Sequence, residues 1–390
     1  MNGSKSNDNL TLCFVMAIIA VNTRLLISGR VDGISRFAVE TLRRIVKAHP
    51  EHTFYFLFDR RFSDEFIFSS NVKPLVIWPQ ARHPLLFRFW FEKRIPIVLK
   101  KIKADVFVSP DGFLSLASDV KQLAVIHDLN FEHFPQYLPN HIANYYRRYF
   151  PLFAHKASKI ATVSAFSKQD ICERYHVKED KIDVVYNGVS NIFTPISAEM
   201  KLQIQRQYSQ QTPYFIYAGT LHPRKNMVNL MKAFDGFKTK TLLPHKLLLV
   251  GNKMWWTKEM QQAYNEMKHK HDVIFMGVVS DSEMAHLMAS AEAMVYVSFF
   301  EGFGIPVIEA QSCDVPVICA NTTSLPEVAA DSAILVHPNN AEEIAQAMQS
   351  VLEENTKNTL IEKGRENVLR FSWNKTAALF WESIEKTLHV

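Results

Sequence analysis

The sequence predicts an α/β protein made of two Rossmann-like domains that face one another. Three observations carry this. Short β-branched or aromatic runs alternate with longer amphipathic stretches along the chain. The runs are continuously apolar, as strands covered by helices on both sheet faces are. The alternation also pauses once, across residues 190–212, and then starts again. A length of 390 residues fits two to three domains at about 150 residues each.

In order, MAIIAVN (16–22) reads as the first strand, and ISRFAVETLRRIVKAH as the helix behind it. Strand runs follow at TFYFLF (53–58), LVIW (75–78), DVFVS (105–109), KQLAVIHD (121–128), KIATVS (159–164) and IDVVYNGV (182–189), with helical patterns at 84–103 and near 140–155. Strand–helix alternation of this kind implies a parallel sheet with right-handed crossovers. The pause holds a polar, Gln-rich helical pattern and sets the expected boundary between residues 1–195 and 196–370. Beyond it come PYFIYAG, KLLLVG, DVIFMG, AMVYVS, VPVICA and AILV, again separated by helices. Helical stretches close the chain from about 341, and residues 371–390 are expected to pack back towards the first domain. Ser280-Asp-Ser-Glu283 and Ser167-Lys-Gln-Asp170 have the capping pattern that precedes a helix.

Composition narrows the partners. Apolar residues are 47% and charged residues 21%, which is ordinary for a globular chain and excludes wholesale disorder. A net charge of +5 over this length gives no nucleic-acid footprint. The four cysteines form no C-x-x-C pair or zinc spacing, so buried thiols in a reducing cytoplasm are expected. The apolar run 10–21 is about 12 residues, short of a bilayer span. Residues 1–15 read as a dispensable extension before the first strand.

Four segments carry chemistry. In SFFEGFGIPVIEAQSCDVPVI (298–318), Glu301 and Glu309 bracket a strand–loop–helix turn with seven residues between them. Gly302 and Gly304 let the backbone approach a ligand, and the helix start offers unpaired amides to anionic or hydroxyl-rich groups. In YAGTLHPRKNMVNLMKAF (217–234), Arg224 and Lys225 stand beside the expected crevice, where two cations suit a diphosphate. In VIHDLNFEHFPQYLP (125–139), His127 and Asp128 end a strand; the spacing to His133 fits no standard metal site. GRVDGISRFAVETL (29–42) is a polar turn with Gly33 leading into the first helix. The sequence has no G-x-G-x-x-G, no Walker loop, no G-x-S-x-G elbow and no Asp-x-Asp pair, so Lys and Arg stand in for a metal at the diphosphate.

Taken together, AGTLHPRKN, EGFGIPVIEA, VIHDL and TVSAFSKQDI resemble the retaining glycosyltransferases of family 4, which have the GT-B fold of two facing Rossmann-like domains. The resemblance spans nearly the whole chain. It implies a nucleotide-sugar donor, a glycan or lipid-linked acceptor, no metal and no other cofactor. It places Glu301 near the sugar hydroxyls and Glu309 on the nucleotide ribose. The amides of Gly302, Phe303, Gly304 and Ile305 would hold sugar and phosphate, and Lys225 with Arg224 the diphosphate. Gly219, Thr220 and Gly33 join the donor side; His127 contacts the sugar near the reaction centre. Asp128 and Ser164 fall on the acceptor side. Many members carry a base directly after the glycine that ends the first strand of the second domain; here that position is Thr220, and Arg224 is the expected substitute. GTLHPRKN and VIHDLNFEHFPQY look most like mannosyltransferases using GDP-mannose, with UDP-sugars as the alternative.

A glycosidase would need a carboxylate pair on one sugar-binding face and no diphosphate cradle. A non-enzymatic sugar-nucleotide binder would keep Glu309 and Lys225 without needing His127. RHPLLFRFWFEKRIPIVLKKIK (82–103) is basic and aromatic. It reads as a helix packed on the sheet; the alternative is a peripheral contact with the inner face of a membrane.

Overall fold

A computed structural model describes residues 16–29 and 33–390. The expected extension 1–15, Cys13 and residues 30–32 of the first polar turn lie outside the described residues. Seven parallel strands form the first sheet: β1 (Ile18–Asn22), β2 (Thr53–Phe58), β3 (Val72–Val76), β4 (Val106–Ser109), β5 (Lys121–Val125), β6 (Lys159–Thr162) and β7 (Ile182–Val184). Their order is β3-β2-β1-β4-β5-β6-β7. Six more, β8 (Tyr214–Ala218), β9 (Lys246–Val250), β10 (Val273–Gly277), β11 (Ala293–Tyr296), β12 (Val317–Ala320) and β13 (Ala333–Val336), form the second in the order β10-β9-β8-β11-β12-β13. The winding reverses between β1 and β4, and again between β8 and β11. Ligands of open α/β sheets bind beyond the strand ends at such reversals. Ile19 pairs with Val106 at the first, and Met294 with Ile216 at the second.

The central strands are largely apolar because both sheet faces are covered: β4, β8, β9, β11 and β12 are buried at every residue. The helix Gly33–Ala48 shows the complementary pattern, burying Phe37, Thr41, Leu42, Ile45 and Val46 along one stripe. β3 begins at Val72 and ends at Val76, earlier than the apolar run 75–78 suggests. Pro74 is tolerated because β3 is an edge strand, where a missing N–H breaks no ladder. The segment 84–102 is not one α-helix: a π-helical turn, Trp90–Arg94, separates Pro84–Phe89 from Ile95–Ile102. Pro96 has no N–H to donate back to Glu92, and the wider turn absorbs that loss.

The helix after β6 runs Ala165–Tyr175, three residues ahead of the expected start. Ser164, in extended conformation, is its cap and accepts from the Ser167 amide at 3.0 Å. Ser280 caps Asp281–Ala289 as its sequence pattern indicates.

After β7 the chain crosses to the helix Ala198–Ser209, which is tied to the second half by Tyr208–Glu283 and Lys201–Glu292 bonds. The helix Trp373–His389 returns to the first sheet. There Trp381 stacks on His49 at 3.7 Å and Phe380 meets Phe37 edge-on at 5.2 Å. Ser383 and Lys386 bond Asp183. Among the described residues, Cys172, Cys313 and Cys319 are free thiols, and no helix is long and apolar enough to cross a membrane.

Candidate functional site

The loops that follow β8 and β11 meet where the second sheet reverses. After β8 the chain passes Gly219 and Thr220 into a short 3-10 turn, Pro223–Lys225, and then the helix Met227–Thr241. Asn226 sits between them with φ 62. Its side-chain amide donates to Val297 O at 2.9 Å and Pro338 O at 2.6 Å, pinning the turn to the end of β11. His222 accepts from the Arg224 amide at 3.1 Å. Burial first, then the Arg224 and Lys225 charges, lower His222 to about 4, so it is neutral at physiological pH.

Lys225 Nζ donates to Glu301 Oε1 at 2.5 Å and to the Tyr296 hydroxyl at 2.8 Å. Arg224 pairs with the other carboxylate oxygen at 3.3 Å, and its guanidinium also donates to the Phe300 carbonyl. Side-chain exposures of 17%, 12% and 8% for Arg224, Lys225 and Glu301 put the three charges largely out of water. Burial alone would raise the Glu301 pKa; the Lys225 and Arg224 cations outweigh it and hold the carboxyl well below the ordinary range. The cluster therefore carries two positive charges and one negative, a net +1, before any ligand arrives.

From Glu301 the loop runs into the helix Ile305–Ser312, with Pro306 in its first turn. Gly304 has φ 101, a left-handed conformation that glycine adopts without strain. Gly302 is a close approach: a Cβ there would lie 2.5 Å from the His127 carbonyl oxygen. The loop of the second domain thus abuts the end of β5 in the first. Ser164 Oγ donates to the Gly302 carbonyl at 2.7 Å, and Ser167 Oγ to the His127 carbonyl at 3.1 Å. Glu327, on the helix Leu325–Ala329, accepts from the Ala165 and Phe166 amides at 2.7 and 3.0 Å. A second-domain carboxylate thereby caps a first-domain helix.

A cleft of about 580 Å³ lies between the domains. Gly219, Thr220, Arg224, Lys225 and Glu301 line one wall, and Gly302, Phe303, Gly304 and Ile305 the base. Gly33, His127 and Asp128 line the opposite wall. A cavity of about 480 Å³ on the first-domain side shares His127 and Asp128 with it; aromatic walls include Phe113, Phe131 and Tyr146, and Arg24 and Asp111 also line it. Those last two form a buried ion pair at 2.8 Å. His127 Nε2 donates to Pro110 O at 2.9 Å, which puts the ring's lone pair on Nδ1 in the neutral form. Asp128 accepts from the backbone and side-chain amides of Asn130 at 2.9 and 2.5 Å.

Two expected site residues do not themselves line this cleft. Ser164 lines neither cavity: it is fully buried, capping a helix and holding Gly302. Glu309 lies on the helix beyond the loop and is not part of the cleft wall. Burial raises its carboxyl to about 7, with Arg36 lowering and Asp281 raising it. Arg36 and Asp281 themselves join the domains at 2.9 Å. Sequence reasoning missed Tyr296, which holds Lys225, and Trp255, which lines the cleft and meets His222 edge-on at 5.3 Å. Tyr296 reads as a plain strand residue. Trp255 stands in a loop without a motif.

Comparison with known proteins follows the same lines. Residues 31–191 match the family described as Glycosyltransferase Family 4, and residues 201–367 match Glycosyl transferases group 1. The O-antigen chain mannosyltransferase B of Escherichia coli is 28% identical over 354 residues, 87% of this chain and 92% of that one. The O-antigen chain mannosyltransferase RfbU of Salmonella typhimurium is 28% identical over 232 residues, 59% of this chain and 60% of that one. A glycosyltransferase from Rickettsia africae superposes with a TM-score of 0.71 at 20% identity, covering 96% of this chain and 99% of that one. Anabaena HepE, solved with UDP and glucose, gives 0.73 at 17% identity, covering 95% and 100%. The fold is the GT-B arrangement of two Rossmann-like domains.

Proposed function

The chain belongs to glycosyltransferase family 4, the group 1 glycosyltransferases, and on that premise we propose that it transfers mannose from GDP-mannose to a hydroxyl of a glycan or lipid-linked glycan. The transfer retains the anomeric configuration and uses no metal. The observation that carries this reading is the buried Arg224–Lys225–Glu301 cluster in a cleft walled by both domains. A net +1 cluster beside glycine-loop amides suits a diphosphate, and the Glu301 carboxylate suits sugar hydroxyls. The mannose donor is supported by mannosyltransferase relatives over most of the chain.

In the reaction, the bond from the anomeric carbon to the diphosphate oxygen breaks. The acceptor oxygen bonds to that carbon on the same face, and its proton passes to the leaving diphosphate. Lys225 and Arg224 stabilise the negative charge that develops there. His127 and Asp128 stand where the two cavities join, between donor and acceptor.

The test is transfer from GDP-mannose to a synthetic alkyl mannoside in excess EDTA, with the product's anomeric configuration read by NMR. Undiminished α-product supports the proposal. Activity that vanishes with chelation and returns with Mg²⁺ or Mn²⁺ overturns metal independence. Turnover only with a UDP-sugar replaces the donor, and donor binding without turnover to any acceptor favours a non-enzymatic binder.

Glu309, one helical turn beyond Ile305 of the cleft base, is the proposed ribose contact and supplies a pH prediction. Its raised pKa of about 7 keeps the carboxyl neutral below that pH and ionised above it. A ribose diol donates best to the ionised form. The affinity for GDP-mannose, whose diphosphate has no proton to lose near neutrality, is expected to rise as pH passes upward through about 7 and to fall again above about 8, where Lys225, lowered by burial, loses its proton. Glu309→Gln should bind more weakly and lose the rise through about pH 7, keeping only the fall above about 8 that belongs to Lys225. An unchanged profile in the variant removes Glu309 from the ribose.

A further inference from the structure

Three segments far apart in sequence bond to one another at the seam between the domains. One is the start of the helix Ala165–Tyr175 in the first domain. The others are the loop at Glu301, Gly302 and Phe303 and the turn from Thr323 to Glu327, both in the second domain. From the helix start, Ser164 Oγ donates to the Gly302 carbonyl at 2.7 Å, with Ser167 Oγ 3.3 Å from the same oxygen. From the turn, Ser324 Oγ reaches the Glu301 and Phe303 carbonyls at 2.9 and 3.0 Å. The Glu301 amide donates to Thr323 Oγ1 at 3.1 Å. Glu327 closes the triangle: one carboxylate oxygen accepts from the Ala165 amide at 2.7 Å and the other from the Phe166 amide at 3.0 Å.

The turn is held in a demanding shape. Thr323 has φ 58, a left-handed conformation that a β-branched residue adopts only under constraint. Its hydroxyl supplies the constraint, donating to the Thr322 carbonyl at 2.7 Å while accepting from Glu301. Ser324 beside it is fully buried. Glu327 sits on its own short helix, Leu325–Ala329, yet both of its oxygens turn to the helix of the other domain. Burial first, then a bond to the same carboxylate, raise the Tyr186 phenol to about 12, so a third first-domain donor stands against Glu327. The consequence falls on one peptide unit. The Gly302 carbonyl is held by first-domain hydroxyls, and in a trans peptide the following N–H points the opposite way. That N–H belongs to Phe303, which lines the cleft and whose amide donates to no described residue.

We propose that Glu327 is a positioning residue, clamping the first-domain helix start onto the loop so that the Phe303 amide is fixed in direction towards the donor. Glu327 itself lies outside the cleft wall and acts through Ser164 and Gly302. Parting the domains breaks two sides of the triangle, Glu327 to the helix start and Ser164 to Gly302, and leaves the third. The loop therefore reaches its full set of bonds only when both domains meet. A donor N–H fixed in advance lowers the barrier because it need not reorient as charge develops. The rate measurement below rests on the transferase reading; the hydrogen-exchange measurement does not.

Glu327→Ala in the full chain is expected to lower kcat with GDP-mannose about 10- to 100-fold, the weight of one charge-assisted hydrogen bond. GDP affinity should hold, because Arg224 and Lys225 stay in place on the second domain. Glu327→Gln keeps one acceptor oxygen and should recover part of the rate. Ser164→Ala releases the same peptide from the other side, so the double variant should be no slower than the slower single one. With no substrate present, hydrogen exchange across residues 299–305 should quicken in Glu327→Ala. An unchanged kcat, a rate loss matched by lost GDP binding, losses that multiply in the double variant, or unchanged exchange in the loop overturns the proposal. A wild-type protein that transfers no mannose overturns the transferase reading instead, and loop exchange then decides the role of Glu327 by itself.

Discussion

Lys225→Ala is expected to lower turnover by about 10²–10³, the equivalent of about 2.7–4 kcal/mol in the barrier, while the protein stays folded. The reason is timing of charge. Negative charge grows on the diphosphate as the glycosidic bond breaks, so a fixed cation stabilises the transition state more than the bound donor. Lys225 is fixed by Tyr296 and Glu301 before any ligand is present. Its removal leaves Glu301 still paired with Arg224, so the core is not left with a lone anion. Lys225→Arg should restore part of the rate, because a planar fork cannot reproduce a point charge at the same oxygens. Arg224→Ala should be at least as damaging, since it also frees the Phe300 carbonyl next to Glu301. Steady-state rates with folding checked by melting decide this. If both variants keep wild-type rates, the diphosphate binds elsewhere.

Glu301→Gln is expected to separate stability from nucleotide binding. With the carboxylate gone, two buried cations face each other without their counter-charge. Breaking a buried ion pair from one side costs about 3–5 kcal/mol. The variant should therefore melt lower than wild type. A diphosphate restores the missing negative charge, so GDP should raise the variant's melting temperature by more than it raises the wild type's. Turnover should still fall, because the sugar loses its carboxylate contact. Thermal melts with and without GDP, alongside rates, read both effects. A variant that melts like wild type would show that Arg224 and Lys225 need no counter-charge here.

The fold was legible because its signal is local and repeated. Runs such as TFYFLF and KLLLVG are apolar through and through only when a sheet is covered twice. The candidate residues Lys225, Arg224, Glu301 and the Gly302–Ile305 loop were legible for a related reason: each follows directly on a strand end at a reversal of winding. What escaped depends on contacts made at long range. Ser164 meets Gly302, and Glu327 meets Ala165, only once the two domains close. Tyr296 reaches Lys225 across 71 positions of sequence. No periodicity encodes such meetings. The raised pKa of Glu309 also follows from what buries it, which its neighbours in sequence do not reveal.

The helix Trp373–His389 carries a consequence for how the molecule is made. It buries Phe380, Trp381 and Ile384 on the first domain, beside the helix Gly33–Ala48 and strands β4, β5 and β6. Yet it leaves the ribosome only after every strand of both sheets has emerged. The first domain therefore waits, partly uncovered, for the whole second domain to be synthesised, although domains usually finish folding in the order they are made. A nascent chain halted at residue 372 would present that apolar seat to solvent. Completion of the amino-terminal half therefore follows synthesis of the second sheet.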